Sequence, residues 1–173
     1  MKRLFLAATT AALLMAGSAA AQTVIIVRHA EKVIEENPNP DLTEAGQARA
    51  LALSQVLADA GVTRVLSTPY TRTRETGRPT AEAGGVPVTE LSGGAVAPFV
   101  EAVRAASPED VILIVGHSNT VDKIAQALGD AHPETLTDCD YDRLVVLTLD
   151  GDRTRVVRGR YGMATTPCTP PAG

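Results

Sequence analysis

The sequence predicts an α/β fold in which a mostly parallel central sheet lies between helices on both of its faces. Six strand-like segments alternate with helix-like segments along the chain, and such alternation is typical of parallel strands joined by helical crossovers. Two of the segments, residues 24–28 and 111–115, are almost continuously apolar, as expected of central strands covered on both faces. These observations favour a three-layer α/β/α sandwich.

The strands are predicted from short apolar runs that are bounded by turn residues. They span residues 24–28, 64–67, 87–90, 111–115, 143–149 and 154–158. The last two are joined by the segment LDGDR, in which the Asp150–Gly151 pair is typical of a tight turn. The sheet is therefore expected to close with a β-hairpin.

Four helices are predicted between the strands, at residues 42–61, 71–85, 95–107 and 119–129. In the first, Thr43 is the expected N-cap and Gly61 the expected stop signal. The second is weaker, because Gly77 and Pro79 are expected to interrupt it before Gly84 closes it.

Residues 1–21 have the layout of a secretory signal peptide. Lys2 and Arg3 precede an apolar run, and small residues follow it up to Ala21. The run is shorter than the ~20 residues needed to span a bilayer. We expect cleavage after Ala21, no membrane anchor thereafter, and a periplasmic or secreted domain over residues 22–173 with a proline-rich C-terminal tail. A core helix or a retained anchor is the alternative for this segment.

The charge balance of the mature chain argues against nucleic acid as a partner. The leader carries two of the 16 basic residues and none of the 20 acidic ones, which leaves 14 against 20. Nucleic-acid binding depends on an excess of cationic side chains. A local basic pocket can still bind a small anion. The oligomeric state is not predicted.

Cys139 and Cys168 are the only cysteines in the sequence. An even number in an exported chain favours a disulfide, which would tie the proline-rich tail to the segment before the last two strands. Two free thiols are the alternative. Neither cysteine has a partner at metal-ligand spacing, so no zinc site is expected.

Cationic and titratable side chains follow three of the predicted strands. Arg28 and His29 end the first strand, Arg72 and Arg74 follow the second, and His117 follows the fourth. Ligands of parallel α/β sheets bind at the carboxyl ends of the strands. Arginine forks bind phosphate oxygens in pairs, and an imidazole can attack phosphorus. The pattern predicts a phosphate-handling site.

Four segments then resemble the histidine phosphatase superfamily, which includes phosphoglycerate mutases, phosphohistidine phosphatases and histidine acid phosphatases. They are VRHAEK, DLTEAGQARA, STPYTRTRET and IVGHSNT, in that order. The resemblance implies a phosphoglycerate mutase-like fold and hydrolysis of phosphate monoesters, or of a phosphoprotein, through a phosphohistidine. It implies no cofactor and no metal.

The resemblance also implies a role for each matching residue. His29 would be the nucleophile, and Arg28 would hold the phosphoryl group from the adjacent position. Arg72 would be a second clamp, and His117 would donate to a phosphate oxygen. Arg74 is expected elsewhere on the helix, as a solvated charge or in a salt bridge.

The general acid is where the sequence departs from the family. In the mutase-like branch a glutamate after the third strand protonates the leaving oxygen, and Glu90 is the nearest candidate, although an ordinary surface role fits it equally. In the acid-phosphatase branch an aspartate follows the second histidine, and Ser118 occupies that position here. Glu31 lies close after the nucleophile and is expected to support its loop.

Three functions other than hydrolysis fit parts of the same pattern. A phosphoglycerate mutase-like phosphotransferase is disfavoured, because the chain lacks room for long insertions around the substrate. A catalytically impaired phosphate-ester binding protein would keep the same pocket. The segment VGHSNT also approaches the G-x-S-x-G elbow of esterases, with Ser118 as nucleophile, but only His132 follows it and Arg28 and His29 are then unexplained.

Overall fold

The structure is a computed structural model that describes residues 21–92, 95–166 and 168. The predicted leader, apart from Ala21, and most of the proline-rich tail lie outside the described residues. The strands are β1 (Gln22–Arg28), β2 (Arg64–Ser67), β3 (Val88–Glu90), β4 (Val111–Gly116), β5 (Arg143–Asp150) and β6 (Arg153–Arg160). The helices are α1 (Glu44–Val56), α2 (Thr71–Gly84), α3 (Ala97–Arg104) and α4 (Val121–Ala127). In the described part of the chain, every helix is too short or too polar to cross a membrane.

The six strands form one sheet in the order β3-β2-β4-β1-β5-β6. The first four in this order are parallel, and β5 and β6 are antiparallel to their neighbours. The hairpin between β5 and β6 turns at Gly151, whose φ of 56° favours glycine. The predicted, mostly parallel sheet and its closing hairpin are confirmed.

Side chains alternate along β1 between two separate apolar layers. Val24 and Ile26 face the layer that contains Phe99 of α3, together with buried residues of α4. Ile25 and Val27 face the opposite layer, in which Leu53 of α1 packs. Because successive residues of a strand point to opposite faces, one apolar run supplies both layers. The predicted three-layer sandwich is confirmed.

Helix α1 begins as the sequence predicts and lies against the loop that follows β1. The Thr43 hydroxyl accepts from the Gly46 N–H at 3.1 Å, and the Thr43 N–H donates to the Glu31 carbonyl at 2.9 Å. A Cβ at Gly46 would overlap that same carbonyl. The helix ends at Val56, and a turn follows as far as Gly61, whose φ is 66°.

Helix α2 is continuous, so the predicted interruption at Gly77 and Pro79 was wrong. A Cβ at Gly77 would lie only 2.9 Å from a methyl carbon of Val65, so glycine lets the helix approach the sheet closely. The Pro79 carbonyl accepts from the Ser54 hydroxyl of α1 at 3.1 Å. Packing against β2 and α1 therefore outweighs the low helix propensity of the two residues. The helix closes at Gly85 in the left-handed conformation (φ 64°).

Cys139 and Cys168 form a disulfide with a Cα–Cα distance of 5.3 Å. Cys139 belongs to the loop between α4 and β5, and Cys168 to the tail after β6. The bond therefore ties the tail to this loop, which also borders the site described next.

Candidate active site

The parallel strands bring the predicted site residues to one edge of the sheet. Arg28 is the last residue of β1 and pairs with Gly116, the last residue of β4. His29 and His117 follow directly, and Arg72 lies in the first turn of α2, which follows β2. A cavity of about 470 Å³ opens at this edge. It is lined by Arg28, His29, Lys32, Tyr70, Arg72, His117, Ser118, Asn119 and Asp138.

His29 is held in one tautomer by the backbone. Its Nδ1 lies 2.8 Å from the Ala30 carbonyl oxygen, and a carbonyl only accepts, so Nδ1 carries the proton. Nε2 of the neutral ring therefore keeps its lone pair. Burial lowers the pKa of His29 to about 3; the bond to Ala30 opposes this shift and the guanidinium of Arg28 adds to it. His29 is thus a neutral imidazole at physiological pH with one nitrogen free to act as a nucleophile.

His117 faces His29 across the cavity, with the two ring centroids 5.4 Å apart. Its Nε2 lies 3.0 Å from the Thr68 hydroxyl, which in turn contacts the Thr73 hydroxyl at 2.7 Å. Burial, together with the guanidiniums of Arg72 and Arg28, lowers the pKa of His117 to about 4. Two neutral imidazoles surrounded by cations form a site prepared for an anion.

Arg28 is fixed by the loop that carries the disulfide. It donates to the Thr137 carbonyl at 2.7 Å and to the Asp138 carboxylate at 3.4 Å, and it lies over the Tyr141 ring at 4.2 Å. Its Nε–H is buried and has no acceptor among the described residues. A buried donor without an acceptor is costly, so the Arg28 side chain is held here at the expense of one hydrogen bond.

Arg72 is the second guanidinium of the cavity. It lies over the ring of Tyr70 at 4.2 Å, and its buried Nε–H also lacks an acceptor among the described residues. Burial lowers the pKa of Arg72, and the nearby charge of Arg28 acts in the same direction. The two cations therefore repel each other across the cavity until an anion lies between them.

Glu90 and Arg74 lie away from the cavity. Glu90 ends β3 and is exposed, and its carboxylate lies 3.2 Å from the guanidinium of Arg74. Neither is among the described residues that line the cavity. Arg74 is thus in a salt bridge, as expected, while the catalytic role of Glu90 stays a prediction.

Glu31 supports the loop that follows His29. Its carboxylate forms a bidentate salt bridge with the buried Arg49 of α1, with nitrogen–oxygen distances of 2.7 to 3.0 Å. Arg49 also donates to the Tyr161 carbonyl at 3.0 Å. The pair links the loop after His29 to α1 and to Tyr161, which follows β6.

Sequence reasoning missed Lys32, Tyr70, Asn119 and Asp138, which line the cavity, and Tyr141, which contacts Arg28. Tyr70 and Tyr141 supply the ring faces on which the arginines lie, and Asp138 contacts Arg28. Tyr70 lies within the segment STPYTR, so its neighbour Arg72 was an available signal. Tyr141 and Asp138 belong to an irregular loop, in which no sequence periodicity indicates where a side chain points.

The esterase interpretation lacks its histidine. The Ser118 hydroxyl contacts the Asp138 carboxylate at 3.4 Å. His132 donates from its backbone to Asp130 and is not among the described residues that line the cavity. The structure therefore gives Ser118 no base from that residue.

The lowered histidine pKa values predict a loss of stability in mild acid. An unfolded histidine has a pKa near 6.5, whereas His29 in the fold has one of about 3. Stability from its neutral burial is complete above pH ~6.5 and is lost as the pH falls towards the folded value. We expect the unfolding free energy to fall by about 2 kcal/mol between pH 7 and 5 on account of His29. His117, which is less buried, adds a smaller loss.

Urea unfolding at the two pH values checks this prediction, since carboxylates titrate mostly below this window. His29→Ala is the comparison, because it should show a shallower dependence on pH. A parent protein that becomes more stable towards pH 5 would contradict the neutral, buried state of the imidazole.

The sequence of the chain matches one known protein family. The sequence model of the histidine phosphatase superfamily, branch 1, matches residues 24–93. These residues include Arg28, His29 and Arg72. No curated protein sequence is significantly similar to the chain.

Several solved structures have the same fold. The protein histidine phosphatase SixA in complex with tungstate aligns with a TM-score of 0.66 at 19% identity, covering 80% of this chain and 96% of that one. Mycobacterial glucosyl-3-phosphoglycerate phosphatase aligns with 0.60 at 14% identity, covering 79% and 97%. A phosphoserine phosphatase from Entamoeba histolytica, in complex with 3-phosphoglyceric acid, aligns with 0.60 at 12% identity, covering 83% and 98%. The predicted resemblance to the histidine phosphatase superfamily is confirmed, by the sequence of residues 24–93 and by the fold of the described chain.

Proposed function

We propose that the protein is a phosphatase that hydrolyses phosphate monoesters, or a phosphoryl group on a protein, through a phosphohistidine on His29. One observation carries the proposal. The Nδ1–H bond to Ala30 leaves the lone pair of His29 on Nε2, in a cavity that His117, Arg28 and Arg72 also line. A neutral nucleophile beside two guanidiniums suits attack on a phosphoryl group.

In the first step, Nε2 of His29 forms a bond to phosphorus while the bond to the leaving oxygen breaks. The guanidiniums of Arg28 and Arg72 hold the phosphoryl oxygens and stabilise the charge that spreads over them. The anion also favours the protonated form of His117, which can donate to a phosphoryl oxygen. In the second step, water attacks the phosphohistidine, releases inorganic phosphate and restores the imidazole.

A rapid-quench experiment with a substrate carrying labelled phosphate tests the proposal. We expect a burst of leaving-group release and a protein-bound label that is stable in base and labile in acid, as phosphoramidate bonds are. Tungstate added beforehand should prevent labelling, because the oxyanion would occupy the same guanidiniums. An active protein that never carries the label would contradict the covalent route.

The same experiment separates the alternatives. A mutase-like phosphotransferase would pass the label to a second phosphorylated acceptor rather than to water. A binding protein would retain oxyanion affinity without a burst or a label. The solved structures with this fold include a protein histidine phosphatase and a glucosyl-3-phosphoglycerate phosphatase, so a phosphoprotein and a small ester are both candidate substrates.

We also propose that the domain works outside the cytoplasm, in the periplasm or after secretion. The disulfide between Cys139 and Cys168 is the kind of bond that persists in oxidising compartments. It agrees with a leader over residues 1–21 and a mature domain from Gln22. N-terminal sequencing of the exported protein would locate the cleavage.

A further inference from the structure

The cavity needs a proton donor for the leaving oxygen. Breaking an ester of a simple alcohol leaves an alkoxide, which departs slowly unless it receives a proton. The exposed carboxylate of Glu90 is paired with Arg74 and lies outside the described lining of the cavity. Another group in the cavity would therefore have to supply the proton.

Asp138 is the one carboxylate among the described residues that line the cavity. Its Oδ1 lies 3.4 Å from the Arg28 guanidinium and 3.4 Å from the Ser118 hydroxyl. Its side chain is 90% exposed, so it can meet a leaving group that projects outwards. The phosphoryl group would lie on the inner side, towards the buried His29.

The loop around Asp138 is held in place on both sides. Thr137 donates through its backbone N–H and its hydroxyl to Asp140, at 2.8 and 2.6 Å. Its carbonyl accepts from Arg28 at 2.7 Å. Cys139, the next residue after Asp138, is tied to the C-terminal tail by the disulfide. These contacts anchor the backbone at Asp138 beside the cavity.

We propose that Asp138 is the general acid and base of the reaction, which rests on the proposed phosphatase function. As the His29–phosphorus bond forms, the electrons of the breaking P–O bond go to the leaving oxygen, which takes the proton of the Asp138 carboxyl. In the second step the Asp138 carboxylate accepts a proton from the attacking water, and the electrons of the P–N bond return to His29.

The test compares leaving groups in Asp138→Asn. Asparagine keeps an oxygen that can accept from Arg28 and Ser118 but cannot deliver a carboxyl proton. We expect kcat/KM for an alkyl phosphate to fall by about 10²-fold or more. For 4-nitrophenyl phosphate, whose phenolate leaves without a proton, kcat/KM should change little. Asp152→Asn, the same change in the exposed hairpin turn, should leave both values unaltered.

The outcomes distinguish this role from the proposed function. Equal losses of kcat/KM for both esters would make Asp138 a positioning residue for Arg28, and no loss for either would give it no role; both results overturn the inference. So would a selective loss on alkyl phosphates in Glu90→Gln but not in Asp138→Asn. A parent protein that hydrolyses neither ester overturns the phosphatase function itself.

Discussion

Replacement of His29 by alanine should lower turnover of any phosphate ester by about 10⁴-fold or more, which is the scale of losing a catalytic nucleophile. The contact between Nδ1 and the Ala30 carbonyl leaves the lone pair of the His29 ring on Nε2. Alanine has no such nitrogen to attack phosphorus. Tungstate binding should persist, since Arg28, Arg72 and His117 remain. Initial rates and tungstate titration by calorimetry measure the two effects separately.

His29→Asn controls for damage to the fold. His29 is 4% exposed, so its truncation to alanine leaves a space that can destabilise the site. The amide of asparagine can donate to the Ala30 carbonyl in place of Nδ1. If either variant folds as the parent does and keeps substantial turnover, then His29 is not the nucleophile and the covalent route is wrong.

Replacement of Arg72 by alanine should lower kcat/KM by about 10²- to 10³-fold, the scale of removing one preorganised donor from a charged transition state. The free energy of unfolding should not fall along with kcat/KM. Burial and the neighbouring charge of Arg28 both lower the pKa of Arg72, so the protein environment by itself disfavours the cation. Kinetics and thermal unfolding of the same variant measure both effects.

Arg78→Ala is the matched control for this prediction. Arg78 lies on the same helix, is exposed, and pairs with Glu75 and Glu82. Its removal should leave kcat/KM near the parent value. Arg72→Lys should be intermediate, because a lysine keeps the charge but lacks the planar fork. Similar kinetics for the Arg72 and Arg78 variants would contradict the assignment of Arg72 as a clamp.

Much of the cavity could be predicted because a parallel sheet converts sequence order into position. His29 and His117 are far apart in the chain, yet each follows a strand, and β1 and β4 are adjacent and parallel. The apolar runs that define these strands are unambiguous, so their ends are too. Thr43 as an N-cap is equally local, because a hydroxyl and the N–H three residues later suffice.

What could not be predicted depends on contacts between distant segments. Gly77 and Pro79 weaken a helix in isolation, and α2 runs through them because it packs against Val65 of β2 and Ser54 of α1. Asp138 and Tyr141 lie in a loop without a repeating pattern. Their side chains are oriented by contacts with Arg28 and by the disulfide at Cys139. A single sequence contains no local signal for either arrangement.

The bond at Cys168 has a consequence for anyone who shortens the protein. A version truncated after Arg160 would keep all six strands and four helices and would look complete by its secondary structure. It would nevertheless lose the disulfide that anchors the loop in contact with Arg28. It would also lose the contacts of Thr165 with the buried Asp142. The functional boundary of the domain therefore extends beyond its last strand, at least as far as Cys168.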